Sequence, residues 1–125
     1  MPLTILVVDD CATTRRLLSL YLKSDGYQVS VAVNGLNALE HLARSPVDVI
    51  LTDLNMPLMD GLSLTKAVKQ DQQLSAIPIL MLTTESADNE REQGYRAGVA
   101  GYLVKPVSQQ QLMQEVRRVI GLIRP

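Results

Sequence analysis

A chain of 125 residues suits one domain and can bury a core without disulfides or structural metals. Its 12 basic and 13 acidic residues leave a formal charge of -1, which excludes the basic excess that direct nucleic-acid or anionic-membrane binding needs. One cysteine, Cys11, excludes an internal disulfide, and the absence of Trp and Phe makes the core aliphatic.

The chain opens on Met1-Pro2-Leu3-Thr4, without a basic start, a long apolar stretch or a small-residue cleavage site. That start predicts a cytoplasmic protein with no membrane insertion. Short apolar runs follow at Thr4 to Val8, Gln28 to Val33, Val47 to Thr52, Ile77 to Leu82 and Gly101 to Val104. Most of them are near-continuous Ile, Leu and Val, the pattern of parallel strands covered on both faces. Helical spacing fills the intervals. Leu17, Leu18, Tyr21 and Leu22 make one stripe; Ala38, Leu39, Leu42 and Ala43 make another; Leu112, Val116, Val119, Ile120 and Ile123 make the clearest. Asp25-Gly26, Ser45-Pro46 and Ala97-Gly98 read as helix ends. Asp60 reads as the cap of the third helix and Ser108 as that of the last. Strand–helix units in alternation predict an α/β domain over residues 1–125: an open parallel sheet with helices on both faces. The last helix leaves no room in these residues for an output domain.

Polar residues gather at the carboxyl ends of the runs: Asp9-Asp10, Thr52-Asp53, Thr83-Thr84 and Lys105-Pro106. Sites in open parallel sheets lie outside the strands' carboxyl ends, at the switch in strand order. With the order 2-1-3-4-5, strands one and three are neighbours at that switch, and Asp9, Asp10 and Asp53 converge. Carboxylates so gathered need a cation, or one of them must take up a proton. An oxygen-only donor set with room for water and phosphate suits Mg²⁺, with Mn²⁺ as an alternative. A carboxylate can act as the nucleophile that forms an aspartyl phosphate. Lys105 supplies a point charge for phosphoryl oxygens, and the Thr83 hydroxyl a hydrogen bond.

The segments Ile5-Leu6-Val7-Val8-Asp9-Asp10, Asp53-Leu54-Asn55-Met56-Pro57-Leu58-Met59-Asp60-Gly61, Met81-Leu82-Thr83 and Gly101-Tyr102-Leu103-Val104-Lys105-Pro106 stand in this order at these spacings. Through them the whole chain resembles the receiver domain of bacterial two-component response regulators. The resemblance implies a flavodoxin-like (CheY-like), doubly wound five-stranded parallel sheet of order 2-1-3-4-5 with five helices. It implies phosphorelay signalling, with Asp53 as phosphoacceptor. Asp10 and Asp53 would bind Mg²⁺ through side chains, Asn55 through its backbone carbonyl and Asp9 through a water. Thr83 would be the switch hydroxyl, Tyr102 the aromatic coupled to it, and Lys105 a phosphoryl contact whose bond to Pro106 is cis. The donor would be a sensor histidine kinase or phosphotransfer protein. A protein target would meet helix four, strand five and helix five. The chain would not be an enzyme, and it would be a monomer or a weak phosphorylation-dependent dimer.

Some positions depart from that pattern or refine it. Thr84 stands where the family usually has Ala or Gly, beside the phosphoryl site, where it predicts slower donor access. Val107 replaces a common Phe, a packing change. Gly101 stands where transcription-factor receivers often place Asp for a dimer salt bridge. Asn55 and Glu85 form a lifetime-tuning pair like that of the single-domain chemotaxis regulators, which suggests a short-lived phosphoryl state and a role in motility. Cys11, close to the acids, is expected to have a raised thiol pKa and to be unreactive.

Competing readings fit less well. An aspartate-nucleophile phosphatase needs Asp-x-Asp after strand one, whereas Ala12 stands two residues after Asp10. A flavin carrier needs a phosphate loop where Asp9-Asp10 would repel phosphate. A receiver-like docking module that is never phosphorylated would not require every one of these site residues.

Overall fold

A computed structural model describes residues 2–84 and 88–123, the side chains of 88–90 excepted. The elements alternate: β1 (Thr4–Val8), α1 (Ala12–Ser24), β2 (Gln28–Ala32), α2 (Gly35–Arg44), β3 (Val49–Asp53), α3 (Gly61–Gln70), β4 (Ile79–Thr83), α4 (Asp88–Ala97), β5 (Gly101–Val104) and α5 (Gln109–Ile123). The strands form one parallel sheet of order β2-β1-β3-β4-β5, as the sequence predicts.

The continuous apolar runs are explained by the two covered faces. Ile5 and Val7 point to one side and pack with Leu18 and Leu22 of α1 and Leu112, Val116 and Val119 of α5. Leu6 and Val8 point to the other and pack with Ala38 and Leu42 of α2 and Leu64 and Val68 of α3. Each fully buried Leu, Ile or Val contributes roughly 1.5–3 kcal/mol of transfer free energy, so the central strands tolerate no polar interruption before their ends. Among the described residues, no helix is long and apolar enough to cross a membrane.

Caps fix where helices begin. The Asp60 carboxylate accepts the Ser63 N–H at 2.8 Å and starts α3. Ser108 and Gln111 make a reciprocal capping box at α5, each side chain accepting the other's backbone N–H. Asn34 caps α2 through the Asn37 N–H, a start the sequence reading did not identify.

The structure corrects several boundaries. The third and fourth strands begin at Val49 and Ile79, two residues later than the apolar runs. Before β3, the Asp48 carboxylate instead accepts the Thr4 N–H. Before β4, Pro78 has no N–H to give to the ladder. β2 ends at Ala32 because the Val33 N–H turns to the Asn37 side chain. Leu17 and Ala43, expected on buried stripes, are exposed, Leu17 by 44%.

Candidate functional site

Strand register brings the reactive residues together. Val8 lies opposite Thr52, so Asp9 follows β1 beside Asp53, the last residue of β3. Asp9 is 1% exposed and Asp53 8%. Asp10 stands exposed at the rim. One carboxylate oxygen from each of Asp9, Asp10 and Asp53 can be chosen so that all lie within 4.8 Å of one another. The Lys105 ammonium enters from the end of β5, 3.0 Å from Asp9 and 3.2 Å from Asp53. The backbone holds this arrangement: the Lys105 N–H donates to the Thr83 carbonyl at 2.7 Å, and the Leu54 N–H to Leu82 at 2.8 Å. α3 approaches closely enough that a Cβ at Gly61 would collide with the Asp53 carbonyl and the Met81 sulfur.

Charge here is unbalanced. Burial raises the Asp53 carboxyl above its ordinary pKa, the Asp9 charge adds to the rise, and Lys105 opposes it. Burial works against the Lys105 charge, but the hydrogen bond to Asp9 and the charges of Asp53 and Asp9 prevail, holding its ammonium above the usual range. Three carboxylates face one ammonium. The donor set is all oxygen, and a hard divalent cation fits it.

Thr83 is fully buried at the end of β4, and Thr84 beyond it is exposed. Asn55 is exposed two residues past Asp53. The Lys105–Pro106 bond is cis, as the resemblance implies. Tyr102 is half-buried: its ring packs toward α4, 5.7 Å from the Tyr95 ring, in a space that a Cβ at Gly94 would fill. Glu85 lies outside the described residues.

Two residues escaped the sequence reading. The Arg15 guanidinium reaches back from α1 to the Asp9 carbonyl at 2.7 Å, fixing the turn that carries the acids. Gly94 is the other, and nothing in the local sequence marks it as a seat for a tyrosine. The expectation for Cys11 is corrected. Its exposed thiol has a lowered pKa, chiefly through a hydrogen bond with the Thr14 side chain and then with the Thr14 backbone, while the Asp9 charge is the weakest influence. The contacts with Thr14 and Thr13 outweigh burial and the nearby acid.

The response regulator receiver domain model matches residues 5–117. Chemotaxis protein CheY1 of Helicobacter pylori is 42% identical over 119 residues, covering 94% of this chain and 96% of that protein. The structure of chemotaxis protein CheY4 of Vibrio cholerae superposes with a TM-score of 0.91 at 38% identity, covering 95% of this chain and 99% of that one. The receiver domain of a Pseudomonas aeruginosa sensor histidine kinase, whose structure has a magnesium ion coordinated in the active site cleft, superposes with a TM-score of 0.89 at 30% identity over 97% of this chain and 99% of that one. Receiver domains are signalling domains that interact with histidine kinases and downstream targets. The chain belongs to the response regulator receiver domain family and serves phosphorelay signalling.

Proposed function

We propose that Asp53 is the phosphoacceptor of this phosphorelay protein and that residues 1–125 act as one receiver unit in the cytoplasm. The observation that carries this reading is the placement of Asp53: nearly buried, at a strand end, within ion-pair reach of Lys105 and beside two further carboxylates. An Asp53 oxygen attacks the phosphorus of a phosphohistidine on a kinase or phosphotransfer protein. Lys105 opposes the rise in the Asp53 pKa that burial causes, then shifts its ammonium from the carboxylates to the phosphoryl oxygens. The Thr83 hydroxyl donates to the same group.

Asp10 and Asp53 side chains, the Asn55 carbonyl and, through water, Asp9 would hold Mg²⁺, which supplies positive charge beside the phosphoryl oxygens. The magnesium seen in the Pseudomonas aeruginosa relative favours that ion.

The phosphoryl group adds charge and acceptor oxygens at one end of the sheet. Thr83 and Lys105 move toward it, Tyr102 moves inward, and the α4–β5–α5 face favours a conformer that binds a protein target. Relatives named for chemotaxis point to a motility output, with Asn55 and Glu85 setting a short phosphoryl lifetime. The chain turns over no external substrate; it promotes only its own phosphorylation and dephosphorylation.

Intact mass after incubation with acetyl phosphate tests the core of this reading. A magnesium-dependent gain of one phosphoryl group is expected, absent in Asp53→Asn. No gain from folded protein, or a gain that persists in the variant, would overturn it.

A further inference from the structure

A cavity of ≈ 290 Å³ opens at the reactive end of the sheet, between α1, the end of β4 and the turn after β5. Leu17, Leu18, Leu82 and Val107 form its apolar walls, and Thr84 and Lys105 its polar border. Lys105 belongs to both regions, since its ammonium also lies 3.2 Å from Asp53. Here Leu17, left exposed on α1, becomes the outer wall, and Val107, packed against the core, also lines the space.

We propose that this cavity seats the acyl group of small-molecule acyl phosphates, so that the chain prefers donors with extended apolar acyl chains over acetyl phosphate. The inference rests on Asp53 as phosphoacceptor and names the class of small donor for that site. Because Lys105 both lines the cavity and reaches Asp53, an acyl group that leaves on the Thr84 side of a phosphoryl group at Asp53 meets the cavity's border. The oxygens of the mixed anhydride then face Thr84 and Lys105, and the hydrocarbon faces Leu17, Leu82 and Val107. An acetyl methyl group covers little of that wall; a butyryl chain covers more.

The transfer balances without another reactant. An Asp53 carboxylate oxygen forms the new O–P bond as the bond between phosphorus and the acyl oxygen breaks. The leaving carboxylate takes the bonding pair, and no proton or electron is exchanged. Acetic, propionic and butyric acids have nearly equal acidity, so differences along the series report contact with the cavity rather than leaving-group chemistry.

The experiment measures second-order phosphorylation rates by intact mass, in magnesium buffer, with acetyl, propionyl and butyryl phosphate. Phosphoramidate, which has no acyl group, is run beside them. The expected rate rises roughly two- to fourfold per added methylene, the gain from removing one CH₂ from water. Val107→Phe fills the cavity and should bring the butyryl-to-acetyl ratio toward one. Leu17→Ala, at an exposed position that folding tolerates, should lower the same ratio. A flat or falling series in the unsubstituted protein, with phosphoramidate active, overturns the cavity's role alone. A rising series that neither substitution alters also overturns it. Failure of every donor, phosphoramidate included, overturns the phosphoacceptor reading beneath it.

Discussion

The acidic end of the sheet and the α4–β5–α5 face are held together in opposite ways. At the acidic end a single ammonium serves two nearly buried carboxylates, and removing that ammonium leaves bare charge in a poorly solvated place. On the other face the charges lie near water. Arg118 pairs with Glu115 at 2.9 Å, and Arg96 with Glu92 one helical turn away. Exposed pairs of that kind contribute about 0–1 kcal/mol. Order there comes from shape: the Tyr102 ring lies against α4, in the space left by Gly94, tilted 52° to Tyr95. The first region responds to charge and the second to packing. The proposed switch uses both, one to register the phosphoryl group and one to display it.

The sharpest way to break this contrast is to remove the shared cation. Lys105→Ala should cost about 2–4 kcal/mol at neutral pH in magnesium-free buffer, because Asp9 and Asp53 lose their counter-charge. Urea unfolding checks it. The loss should shrink toward acid pH, where protonation of the carboxylates relieves the repulsion. A pH-independent loss would mean that Lys105 acts through packing alone.

Asp53→Asn should act in the other direction, by less. The folded-state pKa of Asp53 is raised, so the folded protein holds that proton more tightly than the unfolded chain does. Stability therefore falls as pH rises from the ordinary carboxylate range through the raised value. Asn does not ionise and escapes that loss. The variant should melt a few degrees higher at neutral pH, with the gain fading toward pH ~4. Thermal scans across pH in the absence of metal would show this, and a lower melting point at neutral pH would contradict it.

Gly94→Ala should change stability least, because a better helix former offsets the lost ring contact. Its effect falls on Tyr102, which the new Cβ would push off α4. Nitration of Tyr102, followed by peptide mass, should become several-fold faster, while phosphorylation from acetyl phosphate stays within twofold. Unchanged nitration would show that the ring is seated by something other than the gap at Gly94.

The same contrast explains what could be read in advance. Asp9, Asp53, Thr83 and Lys105 were legible because each ends an apolar run, where a polar residue interrupts burial. Alternation of strands and helices then sufficed to place them on one edge. Gly94 was illegible because a glycine in a helical stretch looks only like a weak helix former, and its partner lies on another element. Strand starts were misread for a related reason: Val47 and Ile77 are apolar and packed in or against the core, yet precede the ladder, so composition and pairing part company there. The Cys11 thiol was misjudged because a nearby acid is visible in sequence, whereas the donors of a helix's first turn appear only once the helix is built.

The tilted tyrosine pair has an optical consequence. The chain has no Trp and no Phe, so its four tyrosines carry the near-ultraviolet spectrum. Tyr95 and Tyr102 are two of them, with ring centroids 5.7 Å apart. Transition dipoles at that separation and tilt couple, and their joint circular dichroism depends on the angle between the rings. Any inward rotation of Tyr102 would uncouple them and change the signal without a label, a dye or an introduced tryptophan. The protein thus carries a built-in spectroscopic readout on the face proposed to meet its target.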